Sequence, residues 1–120
     1  TESTKVWVAG FSFGAYIALN LLMRRPEIEG FIAISPPADK YDFGFLAPCP
    51  VSGLIIQGDK DDIVNETDVA LFANKLDNQR SISVKYKKIK DADHFFTNQL
   101  ETINESVRNY IVKRLNSTSG

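Results

Sequence analysis

The 120-residue sequence predicts an α/β fold: a mostly parallel sheet of about four strands with helices in layers on both of its faces. Three observations predict it. Val6-Trp7-Val8-Ala9, Gly30-Phe31-Ile32-Ala33-Ile34-Ser35 and residues 51–57 are continuous apolar runs, the pattern of strands buried on both faces rather than on one. Residues 66–76 and 98–115 instead carry apolar side chains at helical spacing: Val69, Phe72, Ala73 and Leu76 in the first, Leu100, Ile103, Val107, Tyr110 and Ile111 in the second. The two patterns take turns along the chain, as strand–helix–strand crossovers require.

Strand one is expected over residues 5–9 and helix one over 13–25, closed by Arg24, Arg25 and Pro26. Pro36-Pro37 stops the second strand and Leu54-Ile55-Ile56 centres the third. Ile82, Val84 and Tyr86 alternate with a basic cluster, Lys85, Lys87, Lys88 and Lys90, which reads as a solvated edge strand. Asn98 and Glu101 have the spacing of a capping box at the start of the last helix. The domain is expected over residues 1–115, with 116–120 as a polar tail.

Bulk properties narrow the function. The length suits one domain, and a formal net charge of −1 gives no electrostatic reason to expect nucleic acid or membrane as partner. The basic cluster lacks interleaved, accessible aromatic residues for base stacking. One cysteine, Cys49, allows no intrachain disulfide and points to a reducing, cytoplasmic setting. No apolar run is long enough to span a bilayer and no signal-peptide pattern opens the chain. The first residue is Thr rather than Met, which is read as trimming of the ends.

Gly10-Phe11-Ser12-Phe13-Gly14 joins the first strand to the first helix. A G-x-S-x-G at a strand-to-helix turn is the nucleophile-elbow pattern, a sharp turn that lifts the serine hydroxyl clear of the backbone. Glycines on either side are expected to relieve the crowding of that turn. The helix then aims its free N–H groups and positive dipole end at the serine. In a parallel sheet, functional residues gather at the carboxyl ends of the strands. Ser12 follows strand one, Asp59, Asp61 and Asp62 follow strand three, and His94, the only histidine, follows strand four. A serine hydroxyl needs a base within hydrogen-bond reach, and that base needs an acid to fix its tautomer and stabilise its cation.

The order Ser12…Asp61…His94 is that of α/β-hydrolase sheets, and the chain resembles the C-terminal half of that superfamily, in particular its small esterases and dienelactone-hydrolase-like members. The resemblance rests on Gly10–Gly14 with Ala15-Tyr16-Ile17-Ala18, on Gln57-Gly58-Asp59-Lys60-Asp61-Asp62-Ile63-Val64 as the acid loop, and on Asp91-Ala92-Asp93-His94-Phe95-Phe96 as the histidine loop. It implies a partial α/β-hydrolase fold and a serine hydrolase, a carboxylesterase on small esters, with Ser12 as nucleophile, His94 as general base and Asp61 as its acid. It implies no cofactor and no metal, and the Phe13 backbone N–H as one oxyanion donor. Asn65 stands where the family often has proline, and Asp91 where it commonly has glycine; aspartate tolerates the left-handed conformation such a glycine would adopt.

Other readings of the same residues are weaker. An EF-hand loop counted from Asp59 would need Gly and Glu where Val64 and Ala70 stand. A phospho-acceptor signalling domain wants an acidic pair after strand one, where Gly-Phe-Ser stands instead. Tyr41, Phe43, Phe45 and Leu46 form an aromatic loop that either lines an acyl pocket or caps the core. Phe11 and Phe95 join Tyr41 and Phe43 as candidate substrate contacts. The resemblance covers only the last four of the family's usual eight strands. The loop that carries the second oxyanion donor has no counterpart here, and strand one is left as an apolar sheet edge. The corresponding expectations are a homo-oligomer, or association of another polypeptide through the first strand, and, as the alternative function, a non-catalytic or partner-dependent fragment.

Overall fold

Each apolar run becomes a strand in the computed structural model, which describes residues 6–119, with side chains to residue 116. Strands β1 (Val6–Phe11), β2 (Ile28–Ile34), β3 (Gly53–Gly58) and β4 (Val84–Ile89) lie side by side in chain order, and every pairing is parallel. Between and after them run helices α1 (Phe13–Leu22), α2 (Glu66–Asp77) and α3 (Leu100–Ser119), and one 3-10 turn, Gly44–Leu46.

Successive strand residues point to opposite faces, so the continuous runs feed two cores. Phe31, Ala33, Ile55 and Val84 meet Ala15, Leu19 and Leu22 of α1 and Val69, Ala73 and Leu76 of α2. Ile32, Leu54, Ile56 and Ile89 meet Ile103 of α3, with Val107 and Ile111 packed alongside. The result is the expected three-layer arrangement, two helices on one face and one on the other.

Several boundaries differ from the sequence reading, each for a local reason. β1 continues through Gly10 to Phe11, pairing Gly10 with Ala33 and Phe11 with Ile34; Lys5 lies outside the described residues. Helix α1 stops at Leu22 rather than at residue 25, because the Met23 and Arg24 N–H groups close tight turns onto the Asn20 and Leu21 carbonyls. Pro26 also disfavours helical backbone at Arg25. The capping box does not form: Asn98 has φ 62°, and the Gln99 carbonyl accepts the Ile103 N–H instead. α3 runs on through residues expected as a polar tail to Ser119; Gly120 lies outside the described residues. Asn65, by contrast, is a helix cap: its side chain accepts the Thr67 and Asp68 N–H groups, while its own N–H donates to Asp39. A proline there could not make that last bond.

The two edges of the sheet differ. β4 has Lys85, Lys87 and Lys88 exposed, with Tyr86 half-buried and its hydroxyl donating to Glu66 at 2.6 Å. β1, Val-Trp-Val-Ala-Gly-Phe, carries no charge at all. No described helix is long and apolar enough to cross a membrane.

Candidate active site

Ser12 occupies the single residue between β1 and α1, with φ 57° and ψ −125°. Such backbone costs about 1–3 kcal/mol and persists only where the surroundings impose it. Here the Ser12 N–H donates to the Ile34 carbonyl at 2.8 Å, and the Ser12 carbonyl accepts the Ala15 N–H at 2.9 Å. The two motif glycines are not equivalent. A Cβ on Gly10 would stand 2.2 Å from the Gly14 carbonyl oxygen, whereas a Cβ on Gly14 would meet nothing within 4 Å. Only Gly10 therefore relieves the crowding expected of both.

Asp61 follows β3. One carboxylate oxygen accepts the Ile63 and Val64 N–H groups, each at 2.8 Å; the other accepts Gln57 Nε2 at 2.9 Å and lies 2.7 Å from His94 Nδ1. Burial alone would push this carboxyl up. The bonds from Val64, His94, Ile63 and Gln57 outweigh that and hold it below its ordinary value. Asp61 is thus an anion that only accepts, so the imidazole donates from Nδ1 and leaves Nε2 free to accept. That nitrogen stands 2.9 Å from Ser12 Oγ. The side chains of His94 and Asp61 are 3% and 0% exposed.

The loop bearing His94 is fixed from several sides. Asp91 takes φ 62°, the left-handed backbone anticipated where the family commonly has glycine. Its N–H donates to Asp59 Oδ1 at 2.7 Å, and the Lys60 N–H donates to the Ala92 carbonyl at 2.9 Å. That carbonyl would sit 2.3 Å from a Cβ on Gly58, so the acid loop and histidine loop can approach only because residue 58 has none. Asp59 thereby serves as a stitch between loops, while Asp61 reaches the histidine.

Two buried polar residues support the site without having been singled out by sequence. Ser35, fully buried with φ 52°, donates its hydroxyl to the His94 carbonyl at 3.1 Å. Gln57 orients the Asp61 carboxylate and donates to the Gly58 carbonyl at 3.2 Å; its own Oε1 is buried with no partner among the described residues. The available signal was a polar residue ending the apolar run Gly-Leu-Ile-Ile-Gln-Gly, since a buried amide requires partners.

Phe13 is the first residue of α1, so its N–H has no carbonyl partner within the helix and is available to an anion beside Ser12. The aromatic candidates divide. Phe11 and Phe95 flank the histidine, with ring centroids 5.2 and 5.0 Å from that of His94. Tyr41 stands against Phe13 and stacks on Tyr16 at 4.7 Å. Of the two readings open for the aromatic loop, Phe43 fits the core cap, being 8% exposed and packed against Phe72 and Tyr16, and with Tyr41 it also lines a cavity beside α2. That cavity, of about 870 Å³, opens between this loop and α2, and neither Ser12, Asp61 nor His94 lines it. No group of three or more potential metal ligands occurs among the described residues.

A parallel sheet with this serine turn, and with the acid and histidine loops at the same strand ends, defines an α/β hydrolase. The chain belongs to the dienelactone hydrolase family, whose model matches residues 1–115. It is 52% identical over 109 residues to an uncharacterized protein of Rickettsia prowazekii, covering 88% of this chain and 46% of that one. Among solved structures it is similar to an Agrobacterium tumefaciens protein of unknown function classed with the α/β hydrolases (48% identity, TM-score 0.91, 94% of this chain and 52% of that one). It also resembles a Xanthomonas campestris α/β serine hydrolase without a lid (32% identity, TM-score 0.77, 91% and 47%). The chain spans about half the length of these relatives.

Proposed function

We propose that the chain carries the catalytic triad of a serine hydrolase acting on small carboxylic esters, with Ser12 as nucleophile, His94 as general base and acid, and Asp61 as the orienting anion. The observation that carries this reading is the unbroken hydrogen-bonded line from Asp61 through His94 to Ser12 Oγ, with separations of 2.7 and 2.9 Å. In the first step Oγ bonds to the ester carbonyl carbon as its proton passes to Nε2, and the carbonyl π pair moves onto oxygen. The Phe13 N–H donates to that oxyanion. Collapse expels the alcohol, which takes the proton back from Nε2 and leaves an acyl-serine. Water then repeats the sequence, releasing the acid and free Ser12. Asp61 stays ionised throughout and stabilises the imidazolium. No step calls for a cofactor.

One oxyanion donor is half of the usual pair, and a missing donor costs on the order of 100- to 1000-fold in turnover. Because the chain spans about half of its relatives, the second reading is a site that acts only with a further polypeptide, or a non-catalytic one. The single buried Cys49 supports a cytoplasmic setting.

A fluorophosphonate probe tests the reading directly. Covalent labelling is expected in the wild type and lost in Ser12→Ala, and hydrolysis of p-nitrophenyl acetate is expected to be lost in both Ser12→Ala and His94→Ala. Labelling or hydrolysis that survives these substitutions refutes the triad; a folded wild type that does not label supports the second reading.

A further inference from the structure

We infer that Ser35 is a positioning residue for the triad: acting through the His94 carbonyl, its hydroxyl sets how far the imidazole stands from Ser12, and the chain holds a strained backbone at position 35 to keep that bond. The inference rests on the proposed hydrolase reading, although the spacing it concerns can be measured without turnover. Ile34 and Ser35 end β2, the strand between the one that leads to the nucleophile and the one that leads to the acid. The Ile34 carbonyl accepts the Ser12 N–H at 2.8 Å, the Ser35 N–H donates to the Ile56 carbonyl of β3 at 2.8 Å, and Ser35 Oγ donates to the His94 carbonyl at 3.1 Å. Two adjacent residues thus hold the nucleophile's turn and the backbone of the base at once.

The other backbone bonds of the histidine loop run elsewhere. The Asp91 N–H goes to Asp59, the Ala92 carbonyl takes the Lys60 N–H, and the Asp93 carbonyl and carboxylate take the Phe96 and Thr97 N–H groups. These fix the loop against the acid loop and against itself, not against Ser12. Among the described residues Ser35 is the one hydrogen-bond donor to the His94 carbonyl. His94 is 3% exposed, so without the hydroxyl this carbonyl is left buried and unsatisfied, and the loop must move to hydrate it. Nε2 stands 2.9 Å from Ser12 Oγ. A retreat of about 1 Å breaks that hydrogen bond, and misplacement on this scale can cost about 100-fold in rate.

The backbone of Ser35 points the same way. Its φ of 52° lies in the left-handed region, where a Cβ is unfavourable and glycine is the default residue. Ser35 also precedes Pro36, and a following proline pushes a residue toward extended backbone. Of the described non-glycine residues with positive φ, Ser35 is the buried polar one: Phe96 is buried but apolar, and Ser12, Ser81, Asp91 and Asn98 all reach the surface. Strain of this kind persists where the surroundings impose it and gathers at functional sites. Glycine would relieve it and lose only the hydroxyl, the group that reaches His94.

Ser35→Ala and Ser35→Gly test this together, because both remove the hydroxyl and only glycine also relieves the backbone. Ser35→Gly should melt above Ser35→Ala, yet both should react with the fluorophosphonate probe at least ~10-fold more slowly than the wild type. A merely structural role predicts that the rate recovers with the stability. His94 is the only histidine in the chain, so its imidazole nitrogens give unambiguous NMR signals. In both variants the Nε2 resonance should move from its wild-type position toward that of Ser12→Ala, in which the hydroxyl beside Nε2 is gone. That signal needs no turnover: a folded wild type that does not label would count against the hydrolase reading and leave the resonance to decide the positioning. If Ser35→Ala fails to fold, Ser35→Gly carries both measurements. A Ser35→Gly variant that labels at the wild-type rate, or an Nε2 resonance that stays in place when the hydroxyl is removed, would overturn the inference.

Discussion

Replacing Gly10 with alanine isolates the feature that lifts Ser12 out of the sheet. The added methyl would stand 2.2 Å from the Gly14 carbonyl oxygen, 2.5 Å from its carbon and 2.7 Å from the Ala15 Cα. All three are backbone atoms of the first turn of α1, so no side-chain rotamer can relieve the contact. Either the helix start must retreat by about 1 Å, or the Ser12 turn must open. Overpacking of this kind costs typically 1–3 kcal/mol, and the higher part of that range applies because rigid backbone must move. In a domain of this size 1 kcal/mol corresponds to a Tm shift of roughly 3–6 °C. Gly14→Ala is the matched control: its Cβ would meet nothing within 4 Å, and alanine is the better helix former by up to about 1 kcal/mol. Urea unfolding followed by far-UV circular dichroism should therefore show Gly10→Ala markedly destabilised and Gly14→Ala neutral or slightly stabilised. A Gly10→Ala variant within about 0.5 kcal/mol of wild type, or equal losses at the two positions, would refute the claim that the turn is held by the close approach of residues 10 and 14.

Asp61 should make stability depend on acid. Its carboxyl is held below the ordinary value in the fold, so its contribution is present in full above the unfolded value of about 3.9 and is lost as pH falls through the folded one. Urea midpoints measured from pH 6 downward should place Asp61→Asn below wild type at neutral pH, with the gap narrowing under about pH 4; a constant gap would contradict the sign. Arg114 joins α3 to the far end of the sheet, with its guanidinium 4.6 Å from the Trp7 ring centre and donating to the Ser52 and Glu29 carbonyls and the Tyr110 hydroxyl. Arg114→Ala should cost about 1–3 kcal/mol in the same unfolding assay, and Arg114→Lys should recover only part of it, since an ammonium cannot keep the planar stack and the fork of donors together. A fully restored lysine variant would show that charge alone matters there.

Much of the site was legible because its residues are local punctuation. Ser12 is flanked by an apolar run and an uncharged helix, and the turn between them needs few residues to specify it. His94 was the only candidate of its kind, and Asp61 could be told from Asp59 and Asp62 through the resemblance of its loop. The structure separates the three by partner: Asp61 bonds the histidine, Asp59 bonds the Asp91 N–H, and Asp62 is exposed. Phe43 stayed open between core cap and pocket lining, because an aromatic residue in a loop carries no periodicity that distinguishes the two. The capping box at Asn98 failed because the chain enters α3 through left-handed residues at Phe96 and Asn98, a backbone path that the helix spacing alone does not specify.

By itself, then, the sequence determined the parallel α/β class, the elbow at Ser12 and the strand ends at which chemistry would gather, since periodicity and short-range turn chemistry act over a few residues. Only the tertiary structure decided the rest. Gly10 but not Gly14 is sterically required, Ser35 and Gln57 hold the histidine loop and the acid, and β1 with α1 presents an apolar face where β4 presents lysines. These depend on contacts between residues tens of positions apart, and on which surfaces remain uncovered once every strand has found its neighbour.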